Sequence, residues 1–540
     1  MRHKLSTKGF HIVKTIPGRI VLAELFALTL AVTAGADIGL PDRPELALSA
    51  QESVASWDSS ESEPAEDRTA PKPDTSGLGG AALPGLGGRT VFALANGNGS
   101  SSLVVSYFDA DSFISVKNVG TTIVPVTVEY RDLAGNDRTP VSDSFLLIDN
   151  GTARWAPSAG SPPSNDSVGN PIPVMLGPET EGSVIITSTA PLVGQLEIER
   201  IDETIAYSLA DSAASTSLVV PYLRTGSIIA VRNVGSATVN YVVEYRDLTG
   251  SIITTSVHSL AVNATDRFAP FVDEPGLVGV EASAIITGDQ PLAGQLELAG
   301  SVNNSGYALQ SRSGSITLVI PYVRAGSFIA ITNSGAALGN FIVEYRDLAG
   351  GSLVTSPHAL AAFVTERWAP FVDEPGVTGT EVSAVITSDQ PLVGHLELRL
   401  PDGSTSASWL TAGTTPLAVP YMRPGSTIRV KCASGAATTL TVTYSSLAGA
   451  IFTAPPRPIS AGATDGWDPF VEEPGLAGLE EASAAIVSSD PLAGQLELAP
   501  GEAPEQVSAA NLLTAWVVTI CIIALACCVL KRAPNAAPCD

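Results

Sequence analysis

Apolar and polar residues alternate with a period of two along much of the chain. In VNYVVEYR (residues 239–246), Val, Tyr, Val and Tyr occupy every second position, opposite Asn and Glu. The stretches VPVTVEY (124–130) and LTVTY (440–444) follow the same rule. Because successive side chains of a strand point to opposite faces, this pattern predicts half-buried antiparallel β-strands.

The chain also repeats itself at long range. The phrase PLVGQLEI begins at Pro191, and close variants follow at intervals of 100 residues, at Pro291, Pro391 and Pro491. Each copy also has two tyrosines 23 residues apart: Tyr107 and Tyr130, Tyr222 and Tyr245, Tyr322 and Tyr345, and Tyr421 and Tyr444. The sequence therefore contains four tandem copies of one unit.

Turn signals divide each copy into about seven short strands. In copy 2 the predicted strands are a short opener at Tyr207–Leu209, SLVVPY, SIIAVRN, VNYVVEYR, one near SLAVNATDRF, EASAIIT and PLAGQLEL. Seven short strands in about a hundred residues predict a two-sheet sandwich, so the fold class is all-β. Four sandwiches of ~30 Å each, placed end to end, would form a rod of ~120 Å.

A string related to EYRDLAG recurs in every copy and could be either a catalytic cluster or a hairpin turn. In copy 2, Asp247 would open the turn and Gly250 would close it, where glycine tolerates a positive φ. Arg246 would then be a surface residue or the partner of a nearby acid. Copy 4 has Ser445 and Ser446 in place of the two charges but retains Leu-Ala-Gly, which favours the hairpin.

Composition divides the chain into nine segments. The predicted segments are a signal peptide (1–36), a disordered Pro/Gly/Ser-rich acidic tail (37–88), β-sandwich repeats 1 to 4 (89–200, 201–300, 301–399 and 400–498), a linker (499–511), a transmembrane helix (512–530) and a short cytoplasmic tail (531–540). The first segment places basic residues before an apolar run and Ala-Gly-Ala, as secretory signals do. An uncleaved N-terminal anchor is the alternative.

The predicted transmembrane helix rests on length and charge. Residues 512–530 contain no charged side chain, and at ~1.5 Å per residue such a helix reaches about 28 Å, close to the thickness of a bilayer core. Lys531 and Arg532 follow directly, as expected of a cytoplasmic flank. A buried core helix is the alternative. These signals predict a single-pass protein of the cell membrane with most of its chain extracytoplasmic.

Charge and cysteine content narrow the choice of partners and compartment. The formal net charge is −25, which argues against nucleic acid and anionic lipid surfaces as partners of the exported part. Four of the five cysteines follow residue 511, which leaves Cys432 alone in the exported part. A single cysteine forms no internal disulfide, and export without disulfides is more usual for a bacterial envelope protein than for an animal receptor.

One constellation is a candidate site. Copies 2 to 4 share an adjacent acidic pair and an arginine after the first tyrosine: Asp273 and Glu274 with Arg224, Asp373 and Glu374 with Arg324, and Glu472 and Glu473 with Arg423. Copy 1 lacks both features and has Asp109 at the arginine position. This joint loss predicts ion pairs between the arginines and the acids, within a copy or between neighbours, with N···O within ~4 Å. A Ca²⁺ site is the alternative, because paired carboxylates supply hard oxygen ligands.

The exported region has no recognised enzyme motif: it lacks G-x-S-x-G, H-E-x-x-H, a phosphate-binding loop and a cysteine pair at zinc spacing. The sequence therefore predicts a non-enzymatic protein with no catalytic residue and no cofactor. His258 and His358, at matching positions of two copies, are expected to be surface or packed residues. The aromatic residues predicted to pack in the core or at domain junctions, with carbohydrate stacking as the alternative, are Trp155, Phe268, Trp368 and Trp467.

The VEYRDLAG hairpin and the closing PLAGQLEL segment resemble the tandem immunoglobulin-like repeats of bacterial cell-envelope and surface proteins, over about residues 89–500. The C-terminal apolar helix and basic pair are similar to bacterial sorting tails, without a processing motif. The resemblance implies a membrane-anchored structural spacer or adhesion rod, with protein or glycan partners at the cell surface. The alternative is a glycan- or Ca²⁺-binding module of the cell envelope.

Overall fold

The computed structural model describes residues 88–501, apart from residues 160, 162–163, 167, 201–202, 212–214, 301–303 and 448. The predicted signal peptide, nearly all of the acidic tail, most of the linker, the transmembrane helix and the cytoplasmic tail lie outside the described residues. No helix in the described part is both long enough and apolar enough to cross a bilayer. The described residues are mostly β-strand, which confirms the all-β prediction.

In the described residues each copy contributes eight or nine strands. Copy 1 provides β1 (Thr90–Ala93), β2 (Ala95–Asn96), β3 (Ser100–Phe108), β4 (Ser112–Asn118), β5 (Val124–Arg131), β6 (Ser144–Leu147), β7 (Thr152–Trp155) and β8 (Gly182–Arg200). Copy 2 provides β9 (Glu203–Ser208), β10 (Ala210–Asp211), β11 (Ser215–Leu223), β12 (Ile228–Asn233), β13 (Val239–Asp247), β14 (Ile252–Leu260), β15 (Thr265–Phe268) and β16 (Ala282–Leu298).

Copies 3 and 4 repeat this order. Copy 3 provides β17 (Ser305–Ala308), β18 (Gln310–Ser311), β19 (Ser315–Arg324), β20 (Phe328–Asn333), β21 (Gly339–Arg346), β22 (Ser352–Leu360), β23 (Thr365–Trp368) and β24 (Glu381–Arg399). Copy 4 provides β25 (Thr405–Trp409), β26 (Leu417–Met422), β27 (Thr427–Cys432), β28 (Thr438–Ser445), β29 (Ile451–Thr453), β30 (Arg457–Ile459), β31 (Thr464–Trp467), β32 (Ala482–Val487) and β33 (Leu492–Leu498).

Helix is limited to short turns in the described part of copies 2 to 4. Single-turn α-helices span Pro270–Asp273, Pro370–Asp373 and Pro469–Glu472. Two 3₁₀ turns follow, at Pro275–Leu277 and Pro474–Leu476. All five begin with proline, whose fixed φ suits the first helical position and whose missing N–H is not needed there.

We call the sheets built on one copy a body, numbered by copy. In body 2 one sheet has the order β14–β13–β16–β11–β18, and the other joins β15, β12, β16 and β17. Strand β16 belongs to both sheets: its first half pairs with β11 and β13, and its second half pairs with β12 and β17. Strands β8 and β24 do the same in bodies 1 and 3, whereas body 4 divides the long strand into β32 and β33. Each body is therefore a two-layered, sandwich-like structure.

The observed strands refine the predicted ones at two places. EASAIIT and PLAGQLEL are predicted as separate strands, but the chain stays extended between them and joins them in β16, where it passes from one sheet to the other. The single strand predicted near SLAVNATDRF is divided into β14 and β15. Asn263 adopts a positive φ of 62° between them and turns the chain there.

The strand that opens each copy pairs with the long strand of the preceding copy. Strand β9 pairs with β8, β17 with β16 and β25 with β24. Strand β1 pairs with β33 of copy 4, from Thr90↔Leu498 to Ala93↔Gln495. Each body is therefore completed by residues of the next copy, and body 4 is completed by copy 1.

This last pairing closes the four bodies into a ring, so the predicted end-to-end rod is wrong. In a rod the first and fourth copies would lie far apart, whereas β1 and β33 are hydrogen-bonded neighbours in one sheet. The physical reason is that an opening strand placed at the start of a copy has no partner in its own body. In copy 1 the free edge of β33 supplies that partner.

The opening strands also form the centre of the ring. Strands β1 and β17 each contact both β9 and β25. The N–H of Val91 donates to Ser406 Oγ at 2.7 Å, and Ser208 Oγ donates to the carbonyl of Ala93 at 2.8 Å. One cluster of buried apolar residues runs through bodies 4, 1 and 2, and a second fills body 3. The bodies therefore share apolar cores across junctions and are not isolated beads.

Candidate functional site

The strings related to EYRDLAG form hairpin turns, as predicted. In copy 2 the hairpin is β13–β14, with a register shift beside the turn. Asp247 Oδ1 accepts the N–H of Ser251 at 2.8 Å, and Gly250 has a φ of 88°. Arg246 donates to the carboxylate of Glu244 at 2.6 Å. The repeated charges of this turn therefore serve the hairpin, and Arg246 is the partner of a nearby acid.

The tips of these hairpins contact the following copy. The leucine carbonyl of the turn accepts a backbone N–H from the next body at three junctions: Leu133 from Thr265 at 3.0 Å, Leu248 from Thr365 at 3.2 Å and Leu348 from Thr464 at 2.9 Å. At the fourth turn Gly449 lies against Ile148 of copy 1. The turn is thus a docking element as well as a chain reversal.

Every junction contains the same cluster of tyrosine, arginine and glutamate. The first tyrosine of one copy lies under the guanidinium of an arginine from the next copy, at 4.0–4.6 Å from the ring centre. That arginine lies 2.9–3.5 Å from the glutamate of its own PLAGQLEL-type strand. The four junction clusters are Tyr107, Arg267 and Glu297; Tyr222, Arg367 and Glu397; Tyr322, Arg429 and Glu497; and Tyr421, Arg154 and Glu197.

The cluster of Tyr421, Arg154 and Glu197 joins copy 4 to copy 1. It therefore supports the ring closure independently of the β1–β33 pairing. In all four clusters the arginine combines a cation–π contact with a charge-assisted hydrogen bond, a combination suited to its planar guanidinium.

The glutamates of the junction clusters are buried. The side chain of Glu397 is 2% exposed. Burial opposes its ionisation, but His395, Arg367 and Arg224 together lower the pKa of this carboxyl to about 2. Burial in turn lowers the pKa of His395. Buried charges of this kind persist only when they are paired, so the junctions depend on these arginines.

Glu197 is in a similar position at the closing junction. Burial raises its pKa, but Arg154 and Arg423 outweigh burial and lower the pKa of this carboxyl below its ordinary value. The adjacent Glu199 responds in the opposite direction, because burial and the charge of Glu197 raise its pKa. Two arginines and two glutamates therefore meet where the ring closes.

The structure does not bring the three candidate arginines to the predicted acidic pairs. Their ionic partners are acids elsewhere: Arg224 binds Glu397 at 2.8 Å, Arg423 binds Glu197 at 3.1 Å and Glu199 at 2.7 Å, and Arg324 lies 3.9 Å from Glu381. Arg224 and Arg423 thus reach across a junction into the cluster of the next copy. The ion pairs of these arginines therefore involve acids other than those at 273–274, 373–374 and 472–473.

Copy 1 makes its junction contact by a different route. Asp109, at the arginine position, lies 3.1 Å from Arg200, and Arg200 lies 3.1 Å from Glu297 of copy 2. Asp109 therefore binds Arg200 at the end of β8. Arg200 takes the place of the arginine that copy 1 lacks at position 109. The junction between bodies 1 and 2 keeps a cross-junction ion pair despite the substitution.

The first acid of two predicted pairs closes its own helical turn. Asp273 accepts the N–H of Ala269 at 2.9 Å, and Asp373 accepts the N–H of Ala369 at 2.7 Å. A carboxylate in the first turn satisfies a free N–H and interacts favourably with the positive end of the helix. These acids hold the PFVDEPG turn.

The other acids face a basic residue of the preceding hairpin in copies 3 and 4. Glu374 lies 3.2 Å from His358. Arg457 lies 2.7 Å from Glu472 and 3.5 Å from Glu473. Positions 358 and 457 are equivalent, 99 residues apart, so a histidine in one copy corresponds to an arginine in the next. Sequence reasoning missed this equivalence, although the constant spacing carries it.

The two histidines are packed, as predicted. His258 stacks on Tyr241 with ring centres 4.7 Å apart, and His358 stacks on Phe341 at the same distance. Burial opposes protonation of His358, but the neighbouring carboxylates of Glu366 and Glu374 raise its pKa.

A buried cation projects towards the preceding body at three junctions. Lys117 donates to Ser483 of copy 4 at 3.0 Å, and Lys431 donates to Ser383 of copy 3 at 2.8 Å. Burial lowers the pKa of Lys117 to about 7 and that of Lys431 to about 8. Arg232 occupies the same position in copy 2, and burial lowers its pKa to about 9. These groups sit in the interior of junctions.

The aromatic residues that recur in the four copies belong to the core, as predicted. In three copies the indole N–H donates to the hydroxyl of the second tyrosine: Trp155 to Tyr130 at 2.8 Å, Trp368 to Tyr345 at 2.7 Å and Trp467 to Tyr444 at 2.7 Å. Phe268 takes this place in copy 2 and is also buried. The two tyrosines of each copy thus have different tasks, one at the junction and one in the core.

The calcium alternative concerns the acids at 273–274, 373–374 and 472–473. Within residues 88–501, where described, no group of three or more His, Cys, Asp or Glu side chains is placed to hold a metal ion.

The sequence reasoning missed the junction glutamates. Their signal is an acidic residue at the same place in four mostly apolar closing strands, since charges are buried only with a partner.

No protein-family model matches the chain, and no curated protein matches it significantly.

Proposed function

We propose that this chain is a non-enzymatic surface protein, anchored by residues 512–530, whose ring of β bodies is an interaction head. We propose a closed head in place of the predicted extended rod, because β1 and β33 are paired and bring the first and fourth copies together. The bulk of the chain would lie outside the cytoplasm, with protein or glycan partners at the cell surface.

The pairing of β1 with β33 is the observation that carries this proposal. Arg89, just before β1, donates to the carbonyl of Gly425 at 3.0 Å and lies 3.2 Å from Glu497 in β33. The chain therefore enters and leaves the ring at one junction. A segment that follows Gly501 can then attach the ring at a single point and leave the remaining junctions free of the attachment.

The non-enzymatic part of the proposal is supported by the tasks of the recurrent polar residues. The repeated tyrosines, arginines and glutamates are committed to junctions, and the aspartates to turns. Side chains held in this way build and rigidify a scaffold. We extend the proposal to the fold: each body is an immunoglobulin-like variant that borrows its opening strand from the next copy.

The anchoring part is tested by cell fractionation of two chains. We expect the full chain to sediment with membranes and to resist carbonate extraction, whereas a chain ending at Gly501 should be released in soluble form. A third chain, in which residues 512–530 are replaced by an unrelated apolar helix, should return to the membrane. Release of the full chain by carbonate would contradict the proposal.

The interaction part needs a separate measurement. The released chain, labelled with a fluorophore, should bind intact cells of the producing organism saturably and should be competed by unlabelled chain. The matched control is the same chain without strand β1, which lacks the β1–β33 pairing. If both chains bind the cells equally, the binding is non-specific adsorption. That result would exclude a partner that recognises the closed ring.

A further inference from the structure

A cavity of about 280 Å³ lies between bodies 1 and 2. Its walls come from β3 and β9 on one side and from β11, β16, β17 and β18 on the other, with Ser106, Tyr207, Leu218, Gln295, Ala308 and Ser311 among the lining residues. Ligand sites in proteins begin at about 300 Å³. The cavity lies just below this volume, so it can hold at most one small molecule and not a chain of several units.

Gln295 supplies a hydrogen-bond donor that the protein does not use. The residue is 1% exposed, and its side-chain oxygen accepts the N–H of Tyr107 at 3.0 Å and the hydroxyl of Tyr207 at 2.6 Å. A backbone N–H can only donate, so the oxygen of the amide must face Tyr107. Among the described residues, none accepts a hydrogen bond from the amide nitrogen of Gln295. An unsatisfied buried donor is unfavourable, so a ligand acceptor at this point would be stabilised by the hydrogen bond that the donor lacks.

A row of hydroxyl groups leads from the cavity to the surface. Ser215 Oγ lies 3.0 Å from Ser311 Oγ, and Ser311 Oγ lies 3.1 Å from Ser313 Oγ. Ser313 is exposed, whereas Ser215 and Ser311 are half-buried. Hydroxyls both donate and accept, so this row matches a ligand that itself carries several hydroxyl groups.

The charge of the cavity limits the class of ligand. None of the described residues that line it is Asp, Glu, Lys, Arg or His, and the apolar part of the wall includes Leu218, Leu292 and Leu309. A charged ligand would lose its hydration here without gaining a counter-charge. A neutral molecule with an apolar face and several hydroxyls loses less and satisfies both the serines and Gln295.

The same place is filled at the junction between bodies 2 and 3. Trp409 is the residue equivalent to Ala308. The following residues show this equivalence, since the N–H of Leu410 donates to the carbonyl of Gly394 just as the N–H of Leu309 donates to the carbonyl of Gly294. The Trp409 ring lies 4.9 Å from the ring of Tyr307, the counterpart of Tyr207. The copies therefore differ here in one large side chain, and the open cavity depends on Ala308.

Ser106 contributes a second difference. The residue before the first tyrosine is Ser106 in copy 1 and proline in the other three copies, at Pro221, Pro321 and Pro420. A serine in a cavity wall adds a polar group where the other junctions present a ring.

We propose that the cavity between bodies 1 and 2 binds a neutral, polyhydroxylated molecule of monosaccharide size, with Gln295 as the buried donor. The inference does not depend on membrane attachment, because the cavity lies wholly within the ring. It assigns a glycan-type ligand to one defined junction and leaves the other three as scaffold.

The test uses the full chain in detergent micelles and calorimetric titration with glucose, galactose, mannose and N-acetylglucosamine, with saturation-transfer NMR as a second readout. We expect at least one sugar to bind saturably. Glucuronate, which adds a carboxylate, should bind at least tenfold more weakly than glucose if glucose is a ligand. Absence of saturable binding by all four sugars overturns the proposal, as does equally tight binding of glucuronate.

Two variants locate the site. Ala308→Trp copies Trp409 and should reduce affinity at least tenfold by filling the cavity, and Ser106→Pro copies the sibling copies and should weaken binding severalfold. The matched control is Ala93→Trp at the equivalent position of the junction between bodies 3 and 4, which leaves this cavity unchanged. If Ala308→Trp fails to fold, Ser106→Pro carries the test alone. Unchanged affinity in the folded cavity variants overturns the proposal. Crystals grown with the sugar that contain only water at Gln295 also overturn it.

Discussion

At the scale of single residues, the junctions combine buried charge with aromatic packing. Glu397 illustrates the balance, because its carboxylate is surrounded by Arg224 from copy 2 and Arg367 from copy 3. Removing such a carboxylate leaves two guanidinium groups without their counter-charge in a desolvated place. The loss of one partner from a buried pair costs more than the net contribution of the intact pair.

We therefore expect Glu397→Gln to lower the free energy of unfolding by about 3–5 kcal/mol. The measurement is urea-induced unfolding at pH 7, followed by tryptophan fluorescence. The matched control is Glu344→Gln, because Glu344 pairs with Arg346 at 2.7 Å but is 30% exposed. That exposed pair should contribute at most about 1 kcal/mol. Equal losses in the two variants would contradict a special role for the buried glutamate.

The same glutamate gives a pH dependence with a defined sign. Its pKa is about 2 in the folded protein against an ordinary value of 4.5, so the unfolded chain binds more protons between these values. The stabilisation is complete above pH 4.5 and is lost as the pH falls towards 2, by about 3 kcal/mol in all. The stability difference between the unmodified chain and Glu397→Gln should shrink across this range. A difference that stays constant from pH 5 to pH 2.5 would exclude this mechanism.

At the scale of elements, the hairpin turn has two roles that can be separated. Gly350 closes the turn of copy 3 with a φ of 96°, and a Cβ there would lie 2.5 Å from the carbonyl oxygen of Ala461 in copy 4. The glycine is therefore required both by the left-handed backbone and by close approach to the next body. Gly379 has a similar φ of 88° but nothing within 4 Å of the equivalent Cβ.

This contrast provides a matched pair of substitutions. Gly379→Ala should cost only the left-handed conformation, about 1–2 kcal/mol. Gly350→Ala should cost that amount and at least about 1 kcal/mol more, because the turn must move away from Ala461. Thermal unfolding of both variants by calorimetry measures the difference. Equal midpoints would show that the hairpin tip does not dock tightly on copy 4.

At the scale of the whole molecule, ring closure depends on two short strands far from body 4 in sequence. Strand β1 pairs with β33, and β2 pairs with β26. Phe92 and Leu94 are 1% and 4% exposed, so the closing segment buries apolar surface in addition to its hydrogen bonds. A chain beginning at Gly97 would leave β33 as an open edge.

We expect this shortened chain, residues 97–501, to unfold at a temperature several degrees lower than the chain 88–501, because the truncation of two buried apolar residues alone costs several kcal/mol. A synthetic peptide of residues 88–96 added in excess should restore most of the loss by pairing with β33. A peptide with Phe92 and Leu94 replaced by serine is the control and should not restore it. Identical melting of the two chains would mean that closure contributes little to stability.

The hairpins could be predicted because they are local, and the copy number because the same phrase recurs every 100 residues. Alternation with a period of two fixes which face of β13 is buried, and the Asp and Gly of its turn set the chain reversal within a few residues. The opening strands could not be assigned in the same way. Strand β1 has four residues, and nothing in TVFA identifies which free edge it will meet, 400 residues away.

The same distinction between local and long-range features applies to the candidate site. The arginines at 224 and 423 were recognisable from their recurrence, and the structure places them at junctions. Their acids could not be chosen from the sequence, because adjacency in the chain favoured Asp273–Glu274 over Glu397, which belongs to another copy. Ion pairs depend on distances of a few ångströms that only the packing of neighbouring bodies sets.

The sequence alone determined the β class, the four copies and the hairpin turns, because those properties arise from side-chain alternation and from backbone preferences of neighbouring residues. Only the tertiary structure decided that opening strands complete the preceding body and that the four bodies close on themselves. Both depend on the angle between successive bodies. That angle is set by the packing of all the junctions together, and no short segment of the sequence indicates it.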